Sequence, residues 1–310
     1  TVNTVNFSTK KFSWNTTLTL SHNKNSVKAL TGEAVQLYEA KFGFNQNTHR
    51  IAVGEPLGQF YGYITEGLYQ VDDFNYDAST QTYTLKDGIP YHGDKGRIRP
   101  GMWKFKNLTG DDNVIDENDK TVIGNAQPKF YGGLNNSFTY KGFDLSIFLT
   151  FSYGNEVLNA TKLVTSKVGS LNYNALDVMN SSNRWMTINS DGQKVTDPGE
   201  LAALNAGKTV AAYHDAQQGD NYIHSWAVED ASYLKLSNVT LGYTFPKNLI
   251  ARVGLKNLRL YATGNNLLTW TKYSGFDPEV STMKSGLTPG VDFGAYPLSR
   301  SFIFGLNVAF

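Results

Sequence analysis

Residues 301–310 read Ser301-Phe-Ile-Phe-Gly-Leu-Asn-Val-Ala-Phe310. Phe302, Phe304, Leu306, Val308 and Phe310 alternate with Ser301, Ile303, Gly305, Asn307 and Ala309. A β-strand has a side-chain period of two, so one face carries a continuous apolar stripe and the other mostly small residues. A strand of about ten residues with this pattern, ending on an aromatic, suits a transmembrane β-barrel crossing the hydrocarbon layer. Soluble sandwiches also end in alternating strands. The stretch therefore argues for an all-β, antiparallel fold with two readings open.

The same period recurs upstream. Phe12, Trp14, Thr16, Leu18 and Leu20 share a face, as do Phe143, Leu145, Ile147, Leu149, Phe151 and Tyr153. Phe130, Leu134, Phe138 and Tyr140 form another stripe, then Val239, Leu241, Tyr243 and Phe245, then Leu258, Leu260 and Ala262. The opposite faces are dominated by Ser, Thr and Asn. In a sandwich the apolar faces pack on each other; in a barrel they meet lipid and the polar faces line the lumen. Connection lengths favour the barrel. The turns at Phe7–Phe12 and Tyr140–Phe143 are tight, whereas Gly154–Val228 and Trp270–Tyr296 are long and polar, the outer-membrane pattern of short turns at one end and long loops at the other. Tyr140, Phe143, Tyr153, Tyr243 and Phe245 stand at strand ends, where an aromatic girdle belongs.

Strand parity sharpens this. With Phe310 at the periplasmic end, 301–310 runs down, 254–268 up, 232–245 down, 143–153 up, 130–140 down, 12–21 up and 1–7 down. Both tight turns are then periplasmic. Residues 22–129 hold no crossing or an even number; they read mainly as an extracellular insertion, with a strand or hairpin near Phe60–Tyr69. Residues 154–228 read as a second long extracellular loop, with a short helix expected within 172–185. About seven strands cannot close a barrel, since the smallest have about eight. The expectation is the later portion of a larger barrel, its partners lying upstream of Thr1.

Composition sets the outer limits. The 310 residues include 18 Tyr, 18 Phe, 29 Gly and no Cys, and no apolar run is long enough for a spanning helix. That excludes helical membrane proteins, disulfide scaffolds and thiolate metal sites. The net charge of +1 without a basic block gives no footprint for nucleic acid.

Several segments, in order, carry a family resemblance: Trp14-Asn-Thr-Thr-Leu-Thr-Leu-Ser-His-Asn-Lys-Asn25, Gly54-Glu-Pro-Leu-Gly-Gln-Phe-Tyr-Gly-Tyr63, Gly124-Asn-Ala-Gln-Pro-Lys-Phe130, Tyr140-Lys-Gly-Phe-Asp-Leu-Ser-Ile-Phe148, Tyr233-Leu-Lys-Leu-Ser-Asn-Val-Thr-Leu-Gly-Tyr-Thr-Phe245, Gly264-Asn-Asn-Leu267 and Gly275-Phe-Asp-Pro-Glu279. Together they resemble the C-terminal part of the barrel of SusC/RagA-type TonB-linked (TonB-dependent) outer-membrane transporters of the Bacteroidetes. The resemblance covers nearly the whole chain. It implies a barrel of about 22 strands around a plug, set in the lipid of the cell outer membrane. It also implies drive from TonB and a SusD-like surface lipoprotein as lid over an oligosaccharide or peptide ligand. Plug and TonB-box are absent from this sequence. The resemblance further implies that insertion machinery reads Phe302, Phe304, Leu306, Val308 and Phe310 as an assembly signal.

Catalytic chemistry is not indicated. There is no Gly-x-Ser-x-Gly, and His22, His49, His92, His214 and His224 are scattered without metal-ligand spacing. An importer of this type needs no cofactor. One segment resembles a calcium loop: Asn107, Thr109, Asp111 and Asn113 alternate, with Asp116 and Asp119 able to close the set. Its neutral oxygens weaken that reading, and a solvated turn held by Asx hydrogen bonds competes with it. Phe60, Tyr61, Tyr63 and Tyr69 could stack on a ligand ring; aromatic packing inside a lid competes there. The rival to the importer is a soluble secreted calcium-containing β-sandwich that binds glycans.

Overall fold

Seven long strands with the expected stripes pair into one antiparallel sheet in the computed structural model, which describes residues 1–39, 46–110, 112–166, 174–212, 222–282 and 285–310. They are β1 (Val2–Ser8), β2 (Phe12–Ser21), β3 (Phe130–Tyr140), β4 (Phe143–Tyr153), β5 (Tyr233–Thr244), β6 (Asn257–Thr271) and β7 (Ser301–Ala309). Their order in the sheet is their order in the chain, an up-and-down meander.

The turns all belong to one end. Thr9 closes β1–β2, with its Oγ1 accepting from the Phe12 amide at 3.0 Å. Lys141 and Gly142 join β3 to β4 with φ of 45° and 90°, the paired positive angles of a tight hairpin matched to strand twist. The third turn departs from the sequence reading. Pro246 opens a helical turn, Lys247–Ile250, and Gly254 closes it at φ 76°. β6 therefore starts at Asn257, later than the expected Gly254. The three long connections all leave from the other end.

Register joins the stripes into one face. Phe12, Tyr140, Phe143 and Tyr243 lie side by side across four strands near the turns, and Phe143 and Tyr243 stand 4.5 Å apart. Near the opposite end Phe130 stacks on Tyr153 at 5.0 Å. These are two aromatic belts with aliphatic residues between them. In β5 the even-numbered Leu234 and Leu236 and the odd-numbered Val239 and Leu241 share this face. The register shift at Ser237 makes that possible: Leu236 pairs with Leu149, and Asn238 with Phe148. An inserted residue moves the chain by one side-chain step.

Only three charged side chains occur in the seven strands: Asp144, Lys235 and Arg259. All sit on the Ser/Thr/Asn face. Arg259 reaches over Gly242 to an ion pair with Asp144, its Nε 3.0 Å from the carboxylate. A Cβ on Gly242 would stand 2.4 Å from Arg259 Nη2, so any side chain there would push the ends of both partners aside.

Residues 22–129 contribute no strand to this sheet among the described residues. They form small sheets of their own, one joining Val35–Glu39, Asn47–Ala52, Gln59–Gly62 and Thr121–Asn125. This segment and the connection after β4 are not independent loops. Trp103 and Phe105 share a hydrophobic core with Trp185 and Leu201. Phe60 packs with Leu158, Leu163, Ile223 and Val291. Neither segment buries these apolar side chains alone; together they make one lobe over the long-connection end of the sheet. Of the helix expected within 172–185, residues 172–173 lie outside the described residues; the described remainder has a single 3₁₀ turn, Asp177–Met179. No helix of the described residues is long and apolar enough to cross a membrane.

Candidate functional site

β7 carries the expected stripe in register with β6: Phe304 faces Ala262, Leu306 faces Leu260 and Val308 faces Leu258. Phe302, Phe304, Leu306 and Phe310 are well exposed, and none of the four hydrophobic core clusters contains a residue of the seven-stranded apolar face. That face has no partner layer among the described residues.

The acidic segment 107–119 is organised by backbone N–H groups. Asp119 is fully buried. Its Oδ1 accepts from the amides of Leu108 at 2.6 Å and Thr109 at 2.9 Å and from Thr109 Oγ1 at 3.2 Å; Oδ2 accepts from the Asp116 amide at 2.8 Å. Burial pushes the Asp119 carboxyl up, but the Asp116, Leu108 and Thr109 amides outweigh it and hold the group below the ordinary carboxylate range. Asp116 caps the 3₁₀ turn Glu117–Asp119 through the Asn118 amide at 2.8 Å, and Asn107 Oδ1 accepts from the Thr109 amide at 3.3 Å. Asp111 lies outside the described residues. Among those described, no group of three His, Asp or Glu side chains could hold a metal ion, and Asn113 lends its backbone carbonyl to the Tyr91 amide at 2.9 Å. Among the described residues the arrangement is that of a capping box and Asx turn, with both Asp119 oxygens engaged by N–H and O–H donors.

The aromatic segment is also largely internal. Phe60 and Tyr69 have no exposed surface, and Tyr63 retains 3 %. Phe60 meets the His49 ring edge-on at 5.1 Å, Tyr63 stacks on Phe105 at 5.2 Å, and the Tyr69 hydroxyl donates to the Pro90 carbonyl at 2.7 Å. These three rings pack the lobe; only Tyr61 is half-exposed. The faces of Phe60, Tyr63 and Tyr69 are covered by other side chains of the lobe.

Sequence reasoning missed a cavity of about 570 Å³ where the polar face of the sheet meets the lobe. Its wall is Tyr131, Thr150, Ser152 and Tyr233 from β3, β4 and β5; its lip is Pro278–Ser281, from the connection between β6 and β7. The lip is clamped to the wall. Tyr233 and Lys235, two residues apart on one face, hold the Glu279 carboxylate: the phenol donates to Oε1 at 2.5 Å and the ammonium pairs with Oε2. Asp277 adds a second partner for Lys235 at 3.6 Å. Lys235 is buried, and the two carboxylates compensate the charge it carries there. From the other side, His49 Nε2 bonds the Pro289 carbonyl at 2.9 Å while its Nδ1 pairs with Thr48 Oγ1 at 2.8 Å. The signal available in the sequence was the Asp-Pro-Glu of 277–279 opposite the lone strand lysine.

His49, His92 and His224 are all buried in the lobe. Burial lowers His49 to about 4, against the pull of its bond to Pro289, and lowers His92 to about 4. His224 falls to about 3 through burial, then repulsion from Lys162 and His92. All three are neutral near pH 7.

No protein-family model matches the chain. It is 33% identical over 316 residues to TonB-dependent receptor P3 of Formosa agariphila, covering all of this chain and 28% of that protein. It is 31% identical to TonB-dependent receptor P39 of the same organism, covering 97% of this chain and 29% of that protein. TonB-dependent receptor SusC of Bacteroides thetaiotaomicron is 27% identical over 315 residues, with 97% of this chain and 25% of that protein covered. The chain thus spans under a third of the length of these relatives. Among solved structures, the RagAB peptide transporter superposes with a TM-score of 0.66 at 19% identity, over 99% of this chain and 28% of that one. The RagAB peptide importer in its open-open state gives 0.65 at 18%. These two likenesses concern the fold.

Proposed function

Because this chain belongs to the TonB-dependent receptors, sharing their sequence along its whole length and lying in the outer membrane as they do, we propose that it supplies barrel wall and external lobe to a SusC-type nutrient importer. The apolar face meets lipid and the Ser/Thr/Asn face lines the lumen. The tight turns are periplasmic, and the lobe stands outside. Ligand, an oligosaccharide or peptide, is captured between this external face and a SusD-like lipoprotein lid. It is released inward when TonB, energised across the inner membrane, pulls the plug. The wall then needs to bind and guide but not to make or break bonds, in keeping with the absence of any hydrolase motif.

One observation carries this reading over the secreted sandwich. A sandwich covers its apolar strand faces with a second sheet, whereas here the seven-stranded apolar face is left out of every core cluster among the described residues. All three strand charges lie on the opposite face, as a lipid-facing surface requires. The test uses the full-length protein in its native cells. It should fractionate with the outer membrane, and deletion should abolish growth on one glycan or peptide source. A protonophore or loss of TonB should have the same effect. Recovery as a folded monomer in the aqueous phase of a detergent separation would refute it.

A further inference from the structure

We infer that the cavity between β3–β5 and the 278–281 lip is a subsite for an uncharged, hydroxyl-rich ring, a neutral sugar unit of the ligand. This rests on the importer reading and names the ligand class that the reading leaves open.

The free groups of the cavity decide its chemistry. Asn23 and Gln127 line it, and their amide groups make no hydrogen bond to another described residue; the same holds for the Tyr131 hydroxyl. An amide offers donors and acceptors together, and a phenol does both with one group. A sugar hydroxyl, which donates once and accepts twice, is matched by such groups; a carboxylate or sulfate, acceptor only, leaves the acceptors unmet. Tyr131 is 45 % exposed and, with Tyr233 two strands away across Ser152, offers ring surface for the apolar face of a pyranose.

Charge points the same way. Glu156 and Glu279 line the cavity, and no Lys, Arg or His does so among the described residues. Glu156 keeps one oxygen on the Asn125 amide at 2.7 Å. Lys235, beneath Glu279, is matched by two carboxylates and has no charge to spare for a ligand anion. Lys129 lines the adjoining cavity instead. An anionic ligand would therefore meet two like charges in a partly desolvated recess, which disfavours binding. Lys235 and Tyr233 act as positioning residues: by clamping Glu279 they hold the lip at the width the ring needs.

The experiment uses the detergent-solubilised full-length receptor. Binding is measured to an array of uncharged oligosaccharides, to matched uronate-bearing oligosaccharides and to a tryptic digest of casein. An uncharged oligosaccharide should be retained, and Gln127→Ala and Tyr131→Ala should each weaken it about tenfold or more. Both variants should keep the heat-modifiable gel shift of a folded barrel. Lys235→Met, which frees the lip, should weaken the same probe, while Lys235→Arg should restore it. Retention of only uronates or only peptides overturns the subsite, as does no retention at all or an affinity that ignores these substitutions. Energy-dependent growth on the native nutrient is scored in parallel. If growth needs the receptor while the array result fails, the importer stands and the subsite falls.

Discussion

Acidification should open the external lobe before it touches the barrel wall. His49, His92 and His224 are buried and neutral, with folded-state pKa values of about 4, about 4 and about 3 against 6.5 when exposed. The folded values are depressed, so the unfolded lobe takes up protons first. The stabilisation is fully present above pH 6.5 and is lost as pH falls towards the folded values. At pH 5 each residue has lost roughly 2 kcal/mol, the distance below 6.5 times 1.36 kcal/mol per unit, and the three together about 6 kcal/mol if they add. That rivals the whole stability of a small domain, about 5–15 kcal/mol. The wall strands contain no histidine, so they carry no such term. Hydrogen exchange on the full-length protein between pH 8 and pH 5, corrected for the intrinsic exchange rate, should show protection lost from 47–110, 155–166 and 174–212 while β2–β6 stay protected. His92→Phe is the sharpest control. Both ring nitrogens of His92 are buried without a hydrogen-bond partner among the described residues, and the ring sits among Phe105, Tyr222 and Tyr69. The variant should match or exceed wild type at pH 8 and lose about one third of the acid sensitivity. Lobe protection unchanged down to pH 5, or an identical pH profile in His92→Phe, would refute the argument.

Ile147→Arg should lower the folded outer-membrane pool more than Ser146→Arg, since a cation on the lipid face costs roughly 2–4 kcal/mol at the midplane, whereas Ser146 forfeits one bond to Asn135 worth about 1 kcal/mol; equal pools would reverse the assigned facing. Gly242→Val should break the Asp144–Arg259 bridge by collision and lower the heat-modification temperature, and an unchanged temperature would show the bridge to be dispensable. Chelator should leave protease sensitivity between Lys106 and Gly124 unaltered, because Asp119 is engaged by N–H donors; a chelator-dependent cut would favour the calcium reading. If β7 is the assembly signal, Phe310→Ala should reduce outer-membrane protein more than Phe245→Ala, and comparable levels on a quantitative blot would leave Phe310 an ordinary interfacial aromatic.

Local pattern alone determined the wall. A stripe such as Phe143, Leu145, Ile147, Leu149 and Phe151 specifies a strand, its two faces and its length, because alternation is a property of consecutive residues. Tight turns at Lys141–Gly142 and around Thr9 then fix which ends are joined, and parity gives the direction of all seven strands. The phase change at Ser237 was not legible, since a bulge shows only when a partner strand supplies the register. Nor could alternation separate sandwich from barrel: the pattern says which face is apolar, not what covers it. Tertiary structure decided the rest through contacts between residues far apart in sequence. Phe60, Tyr63 and Tyr69 read as available aromatics until Leu158, Ile223, Phe105 and Met102 close over them. Asp119 reads as a metal ligand until the amides of Leu108, Thr109 and Asp116 reach its oxygens. Lys235 finds Glu279 across 44 intervening steps of chain. Burial and pairing of this kind depend on which distant segments meet, and no window of neighbouring residues contains that information.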